Sequence, residues 1–391
     1  MSRTEHRMRV SPRFGIGLLL SVAAAVSSLC FAQAESKPPE VAPQDVSKFL
    51  GWFEFFQNRN KQKYAVTGTN HIDEATYVKA GGIDQWLTIR GQDRNNPVLL
   101  ILHGGPGDVT SPWGYAYFQD WEKYFTVVQW DQRGAGRTLE KAGESVESTM
   151  TIDRMIQDGI EISEYLRQHL NKEKIVLVGH SWGSLLGLLM AKAKPELFYA
   201  FVGTGQVPSS AMEANIVAHR LALQWARGAK NPEALADLNR IGPPPYKDGT
   251  DGWGVLYKWR NACEGPDRDV FLASTLYYAL AQPGYTLRNF NYSQEGQIVS
   301  GNKLFDQITN LDHKRLEGTF NLPIVVIQGE NDCTTPAELA HKYLDSISAP
   351  RKDFVVIPGE GHFAAFIKSD EFLRDLLARV RPLAAKAPGP S

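Results

Sequence analysis

The sequence predicts an α/β fold: a mostly parallel sheet flanked by helices, with a helical cap inserted before the last two strands. Three observations predict it. Short continuous apolar runs recur at 97–102, 125–130 and 174–178, and a run apolar on both faces marks a strand buried inside a parallel sheet. Between them the apolar spacing turns helical, most clearly over 152–170, where Ile152, Met155, Ile156, Ile160, Ile162 and Leu166 share one stripe. The strand–helix alternation stops after Gly205 and resumes at Leu322. Strands alternating with helices imply parallel pairing through right-handed crossovers.

The N-terminus is a separate unit. Arg3, Arg7, Arg9 and Arg13 precede an apolar stretch over 14–31, and Ala32-Gln33-Ala34 places small residues where a signal peptidase reads them. Residues 1–34 therefore read as a secretory signal peptide, which places the mature protein outside the cytoplasm, secreted or periplasmic. The alternative is an uncleaved anchor, for which the Ala- and Ser-rich run is barely long enough. Once the signal peptide is removed, no stable membrane association is expected. Four arginines and one glutamate leave with it, so a chain of formal net charge −1 becomes mildly acidic, near −4. That balance argues against nucleic acid as a partner. Cys263 and Cys333 remain in the mature chain. They either pair in an oxidising compartment or stay as buried thiols.

The mature chain divides as follows. Residues 35–75 form an N-terminal leader and packing segment, with three prolines over 35–48 and an aromatic patch over 49–56. Residues 76–205 form the first part of the core. It opens with an alternating hairpin, 76–80 and 85–90, turned by Gly81-Gly82. The strands at 97–102 and 125–130, the helix from 152, a strand at 175–178 and another at 198–203 follow. Residues 206–318 read as the helical cap, rich in Trp and Tyr. Residues 319–391 complete the core with strands at 322–328 and 354–358 and a closing helix over 369–381. No internal repeat is present.

Gly179-His180-Ser181-Trp182-Gly183 lies between the strand at 174–178 and an apolar helix that begins at Ser184. Strand, Gly-x-Ser-x-Gly, helix is the nucleophile elbow of the α/β-hydrolase fold. A serine there sits on a sharp turn with its hydroxyl above the sheet, and the small flanking residues let strand and helix approach. A serine hydroxyl needs a base, and the base needs an orienting acid. In this fold they follow in the order serine, acid, histidine. Asp332 follows the strand ending at Gln328, and His362 follows the strand ending at Ile357, so both fall at the same sheet edge as Ser181. Glu330 is the rival acid. The helix N-terminus at Trp182 supplies one oxyanion donor. The loop His103-Gly104-Gly105-Pro106-Gly107 supplies the other, from Gly105 first and Gly104 second, because consecutive glycines let a backbone come close to a ligand. His103 and His180 read as hydrogen-bonding neighbours. No His/Glu pair has zinc-type spacing, and neither a metal nor a cofactor is expected.

His103-Gly-Gly-Pro-Gly107, Asp131-Gln-Arg-Gly-Ala-Gly-Arg-Thr138 and Gly179-His-Ser-Trp-Gly-Ser184 resemble the three signature stretches of the prolyl iminopeptidase family of α/β-hydrolases. The resemblance covers roughly 75–205 and 320–385. It implies a serine hydrolase that removes an N-terminal residue, typically proline, from peptides. By motif position it implies catalytic roles for Ser181, Asp332 and His362 and oxyanion donors at Trp182 and in the 104–105 loop. Asp131 and Arg133 are expected to brace their loop by a salt bridge.

An enzyme that needs a free N-terminus must meet an ammonium group, and a buried cation needs polar partners. Glu213 and Glu264 are the cap carboxylates available for substrate binding, unless they are simply solvated. Trp253, Tyr257, Trp259, Tyr277 and Tyr278 either line an apolar pocket or pack the cap onto the core. The expected partner is thus a peptide or a small ester or amide. Two other functions compete: an esterase or amidase with the same machinery and no ammonium site, and a non-catalytic binding protein on this fold.

Overall fold

The computed structural model describes residues 46–384 apart from 208–209 and 248–249. The expected signal peptide at 1–34 lies outside the described residues. Eight strands form one sheet: β1 (Ile72–Ala80), β2 (Ile83–Gly91), β3 (Val98–Leu102), β4 (Thr126–Asp131), β5 (Ile175–His180), β6 (Phe198–Thr204), β7 (Ile324–Gly329) and β8 (Lys352–Ile357). Their spatial order is β1-β2-β4-β3-β5-β6-β7-β8. The β1–β2 and β2–β4 pairs are antiparallel, and every later neighbour is parallel. All residues of β3, β4, β5 and β7 are buried, as their continuous apolar runs require. The hairpin reaches further than its alternation suggested. β1 starts at Ile72, because this edge strand leaves both faces of its first residues accessible: Asp73 pairs with Arg90 at 3.0 Å and Glu74, on the opposite face, with Arg94 at 2.8 Å.

The main helices are α1 (Val46–Lys63), α2 (Ile152–His169), α3 (Trp182–Ala193), α4 (Ala211–Gly228), α5 (Pro232–Ile241), α6 (Gly252–Cys263), α7 (Pro266–Leu280), α8 (Leu287–Thr309), α9 (Ala337–Ser346) and α10 (Ser369–Asp375). The Thr151 hydroxyl caps α2 by accepting from the Arg154 N–H at 3.1 Å, and the six-residue apolar stripe of α2 is buried. On that face of the sheet α2 and α3 cover Leu100, Leu102 and Leu177. On the other face Trp121 stacks on Phe372 of α10 over Val176 and Val178. Each fully buried Leu, Val or Ile contributes on the order of 2 kcal/mol. The sheet is thereby held rigid beneath the loops at its C-terminal edge.

Between β6 and β7 the chain forms α4 to α8, the helical segment expected there. Ala222, Ala226, Leu238 and Trp259 give its outer helices a small core of their own. α8 crosses the core loops directly. The Ser300 hydroxyl donates to the carbonyl of Gly134 at 3.0 Å, and the Gly296 carbonyl occupies the space a Cβ on Gly107 would need. Cys263, the last residue of α6, forms a disulfide with Cys333 in the loop after β7, with the Cα atoms 6.2 Å apart. The cap is thus covalently joined to a loop of the core.

Candidate active site

Gly179 and Gly183 set the elbow. The Gly183 carbonyl lies where a Cβ on Gly179 would stand, and the Leu102 carbonyl where a Cβ on Gly183 would. Larger residues would push α3 away from β5. Ser181 itself has φ 54° and ψ −122°, a conformation that costs a non-glycine residue energy and recurs at functional turns. Its N–H donates to the Thr204 carbonyl at 3.0 Å, which ties the turn to the end of β6. Its carbonyl accepts from the Ser184 hydroxyl at 2.6 Å.

Asp332 and His362 meet at the same edge. The His362 Nδ1–Asp332 Oδ2 distance is 3.0 Å, and Asp332 is fully buried. Asp332 Oδ1 accepts from the N–H groups of Thr334 and Thr335 at 2.9 and 2.6 Å. Oδ2 also accepts from the Thr335 hydroxyl at 2.8 Å and from Gln328 Nε2 at 2.7 Å. These four donors fix the orientation of the carboxylate that faces the imidazole. Burial works against a charge on His362, but the charge and hydrogen bond of Asp332, aided by Glu264, outweigh it and raise its pKa. Glu330 does not reach the imidazole; it accepts from the Gly359 N–H at 2.8 Å. His362 packs against His180, ring centroids 4.8 Å apart, and against Gly205, so its ring stands beside the turn that carries Ser181. Among the described residues no hydrogen bond yet joins it to the Ser181 hydroxyl. Such contacts commonly tighten only with substrate in place.

Trp182 opens α3, and among the described residues no acceptor takes the backbone N–H of Trp182, Gly104 or Gly105. A Cβ on Gly104 would lie 3.2 Å from Ser181 Cβ, so this loop flanks the serine. His103 is fully buried, accepts from the Gln132 N–H at Nε2 (3.1 Å) and stays neutral, with burial lowering its pKa to about 4. Gln132 in turn accepts from Trp182 Nε1 at 3.0 Å. One glutamine therefore holds both candidate donor segments. His180 donates from Nε2 to the His362 carbonyl at 3.1 Å and is kept neutral by burial, its pKa lowered to about 3.

Two expectations need correction. Asp131 and Arg133 do not pair. Asp131 accepts from Ser111 and from the Arg137 N–H at 2.6 and 2.9 Å, whereas Arg133 pairs with Asp158 of α2 at 2.6 Å. The turn between them sends the two side chains to different elements. Neither Glu213 nor Glu264 lines the cavity beside Ser181. Glu213 faces solvent and pairs with Lys342 of α9 at 2.8 Å. Glu264 is buried behind the site. Its Oε1 accepts from the Cys333 N–H at 3.0 Å and the Thr334 hydroxyl at 2.9 Å, and its Oε2 accepts from the His362 N–H. It clamps the acid loop to the histidine loop. Burial and the nearby Asp332 push its pKa up to about 7. Of the two alternatives for the cap aromatics, none of the five lines the cavity. Trp259 packs inside the cap, Tyr277 packs on Phe56 of α1, and Trp253 and Tyr257 are exposed.

The cavity itself measures about 330 Å³ and reaches Gly104 and His180. Trp113, Phe271, Phe290, Phe363 and Phe366 make its walls apolar, with Leu276 and Ala279 of α7. Its one carboxylate among the described lining residues is Asp108, directly after the glycine loop. Sequence reasoning passed over this residue because the glycine motif ended at Gly107. Its adjacency to that motif was the available signal. Burial raises the Asp108 pKa to about 6, opposed by the charge of His362. Among the described residues there is no cluster of three or more His, Cys, Asp or Glu side chains arranged to hold a metal ion, and no helix long and apolar enough to cross a membrane.

Residues 97–369 match a family described as the alpha/beta hydrolase fold. The chain is 33% identical over 294 residues to a probable aminopeptidase, YbaC, of Bacillus subtilis (strain 168), a match spanning 73% of this chain and 89% of that one. It is 34% identical over 191 residues to a probable proline iminopeptidase of Streptomyces coelicolor, spanning 47% of this chain and 52% of that one. Among solved structures, a proline iminopeptidase-related protein from Thermus thermophilus superposes with a TM-score of 0.56 at 20% identity. It covers 80% of this chain and 99% of that one, which is a likeness of fold.

Proposed function

This chain belongs to the α/β-hydrolase family and is a prolyl iminopeptidase-like hydrolase, and on that premise we propose that it is a secreted serine aminopeptidase that removes an N-terminal proline or small apolar residue. Ser181 attacks the carbonyl of the first peptide bond while His362 takes its proton. Asp332 holds the imidazole in the productive tautomer and stabilises the imidazolium. The oxyanion settles on the N–H groups of Trp182 and Gly105, with Gly104 as the neighbouring donor. His362 then protonates the leaving amine, and water, activated by the same imidazole, releases the acyl group.

The observation that carries this reading is the 3.0 Å His362–Asp332 contact at the edge where the strained Ser181 turn stands. Secretion rests on residues 1–34, and the Cys263–Cys333 disulfide fits an oxidising compartment. The apolar cavity walls, which neither Glu213 nor Glu264 reaches, favour one second reading, an esterase or amidase with no need for a free amine.

Labelling with a fluorophosphonate tests the mechanism. The mature protein should be modified on Ser181, and Ser181→Ala should lose labelling and at least about 1000-fold in turnover while melting like the parent. An active, labelled Ser181→Ala protein would reject the serine mechanism.

A further inference from the structure

Building on the aminopeptidase reading, we infer that Asp108 is the group that receives the substrate's N-terminal ammonium, in place of any cap glutamate. In an aminopeptidase substrate the α-nitrogen is two bonds from the carbonyl carbon that Ser181 attacks, about 2.5 Å away. The receiving carboxylate must therefore stand on the wall of the cavity immediately beside the oxyanion loop. Asp108 stands there. It follows the glycine loop by one residue and lines the same cavity as Gly104 and His180.

Asp108 also lacks a partner. Among the described residues it makes no hydrogen bond and no ion pair, unlike Asp332, Glu264 and Glu213, each of which is engaged. Asp108 is half-buried on a cavity whose other walls include Trp113, Phe271 and Phe290, and a carboxylate partly removed from water without a counter-ion is costly to keep. At neutral pH it is nevertheless mostly ionised, its pKa raised only to about 6. The other titratable groups facing the cavity are His180, held neutral, and Tyr285, whose pKa burial raises far above neutrality. Neither supplies a positive charge, and neither competes for one. A docked ammonium completes the pair that the protein leaves open. The loop is also held in place, since the backbone of α8 at Gly296 packs against Gly107. The charge is thus presented from a loop that the cap itself braces. The remaining walls are apolar, so the side chain beside that ammonium is expected to be a pyrrolidine ring or a small aliphatic group.

Three substrates separate this inference from the reading beneath it: proline p-nitroanilide, its N-acetyl derivative and p-nitrophenyl acetate. The parent protein should prefer the free amine over the acetylated compound. Asp108→Asn, nearly isosteric, should lower kcat/KM for the free amine by about 10- to 100-fold, mainly through KM. It should leave p-nitrophenyl acetate hydrolysis within about twofold of the parent, since removing a charged partner affects only the substrate that carries the opposite charge. Asp108→Glu should restore part of the loss. If Asp108→Asn keeps the preference of the parent, the ammonium is received elsewhere and the inference fails while the aminopeptidase reading stands. If the parent shows no preference, both fail. If Asp108→Asn loses all three activities equally, Asp108 supports the machinery and not specificity, and the inference is overturned.

Discussion

At the scale of single residues, the charge on Asp332 decides how His362 behaves. The carboxylate raises the imidazole pKa above its ordinary 6.5 against the opposing effect of burial. A general base must be neutral, so activity should rise with pH through a limb displaced above 6.5, and fall as acidification charges His362. Glu264 contributes to the same shift from behind the site. Glu264→Gln removes a negative charge that favours imidazolium, so its acid limb should move to lower pH. A pH–rate profile of kcat/KM checks both statements; a limb that stays in place in Glu264→Gln would show that this carboxylate does not act on His362. Asp332→Asn should cost on the order of 10,000-fold in kcat, because the asparagine leaves the imidazole in the wrong tautomer.

At the scale of elements, much was legible because it is local. A continuous apolar run declares a buried strand, and Gly179 and Gly183 declare a close strand–helix approach. The expected strands therefore lie within a few residues of β3 to β8. The edge hairpin was read short because Asp73 and Glu74, two charges in succession, interrupt the alternation, and at an edge each finds an ion-pair partner on its own face. The contacts of the cap were not legible. Whether Glu264 faces a pocket or the back of a catalytic loop depends on the direction of α6, which no local pattern encodes. The partners of Asp131 and Arg133, and the choice between thiols and a disulfide, depend on tertiary distance in the same way. The disulfide has a consequence here. Cys333 adjoins Asp332, and the bridge closes a separation of 70 residues between cap and core. Cys263→Ser with Cys333→Ser should cost about 2 to 4 kcal/mol of stability. It should also lower kcat more than it raises KM, since the acid loop and not the cavity is loosened. Denaturant melts and steady-state kinetics of the double variant measure both effects.

For the whole molecule, a rigid sheet carries the chemistry and a cap supplies the apolar cavity, with α1 strapped across the outside. Gln57 donates to the carbonyls of Leu280 and Tyr285, and Asn60 to that of Ala281, so α1 holds the cap wall that includes Tyr285. Mass spectrometry of the exported protein should find an N-terminus at Glu35; a chain that keeps residues 14–31 would contradict secretion by cleavage. The activity of the assembled molecule is tested most directly by turnover of the mature protein on a proline arylamide and on the same compound acetylated at nitrogen. Hydrolysis of the free amine with little or none of the acetylated form is the expected result. Equal hydrolysis of both would contradict an aminopeptidase and leave an esterase or amidase on the same serine machinery.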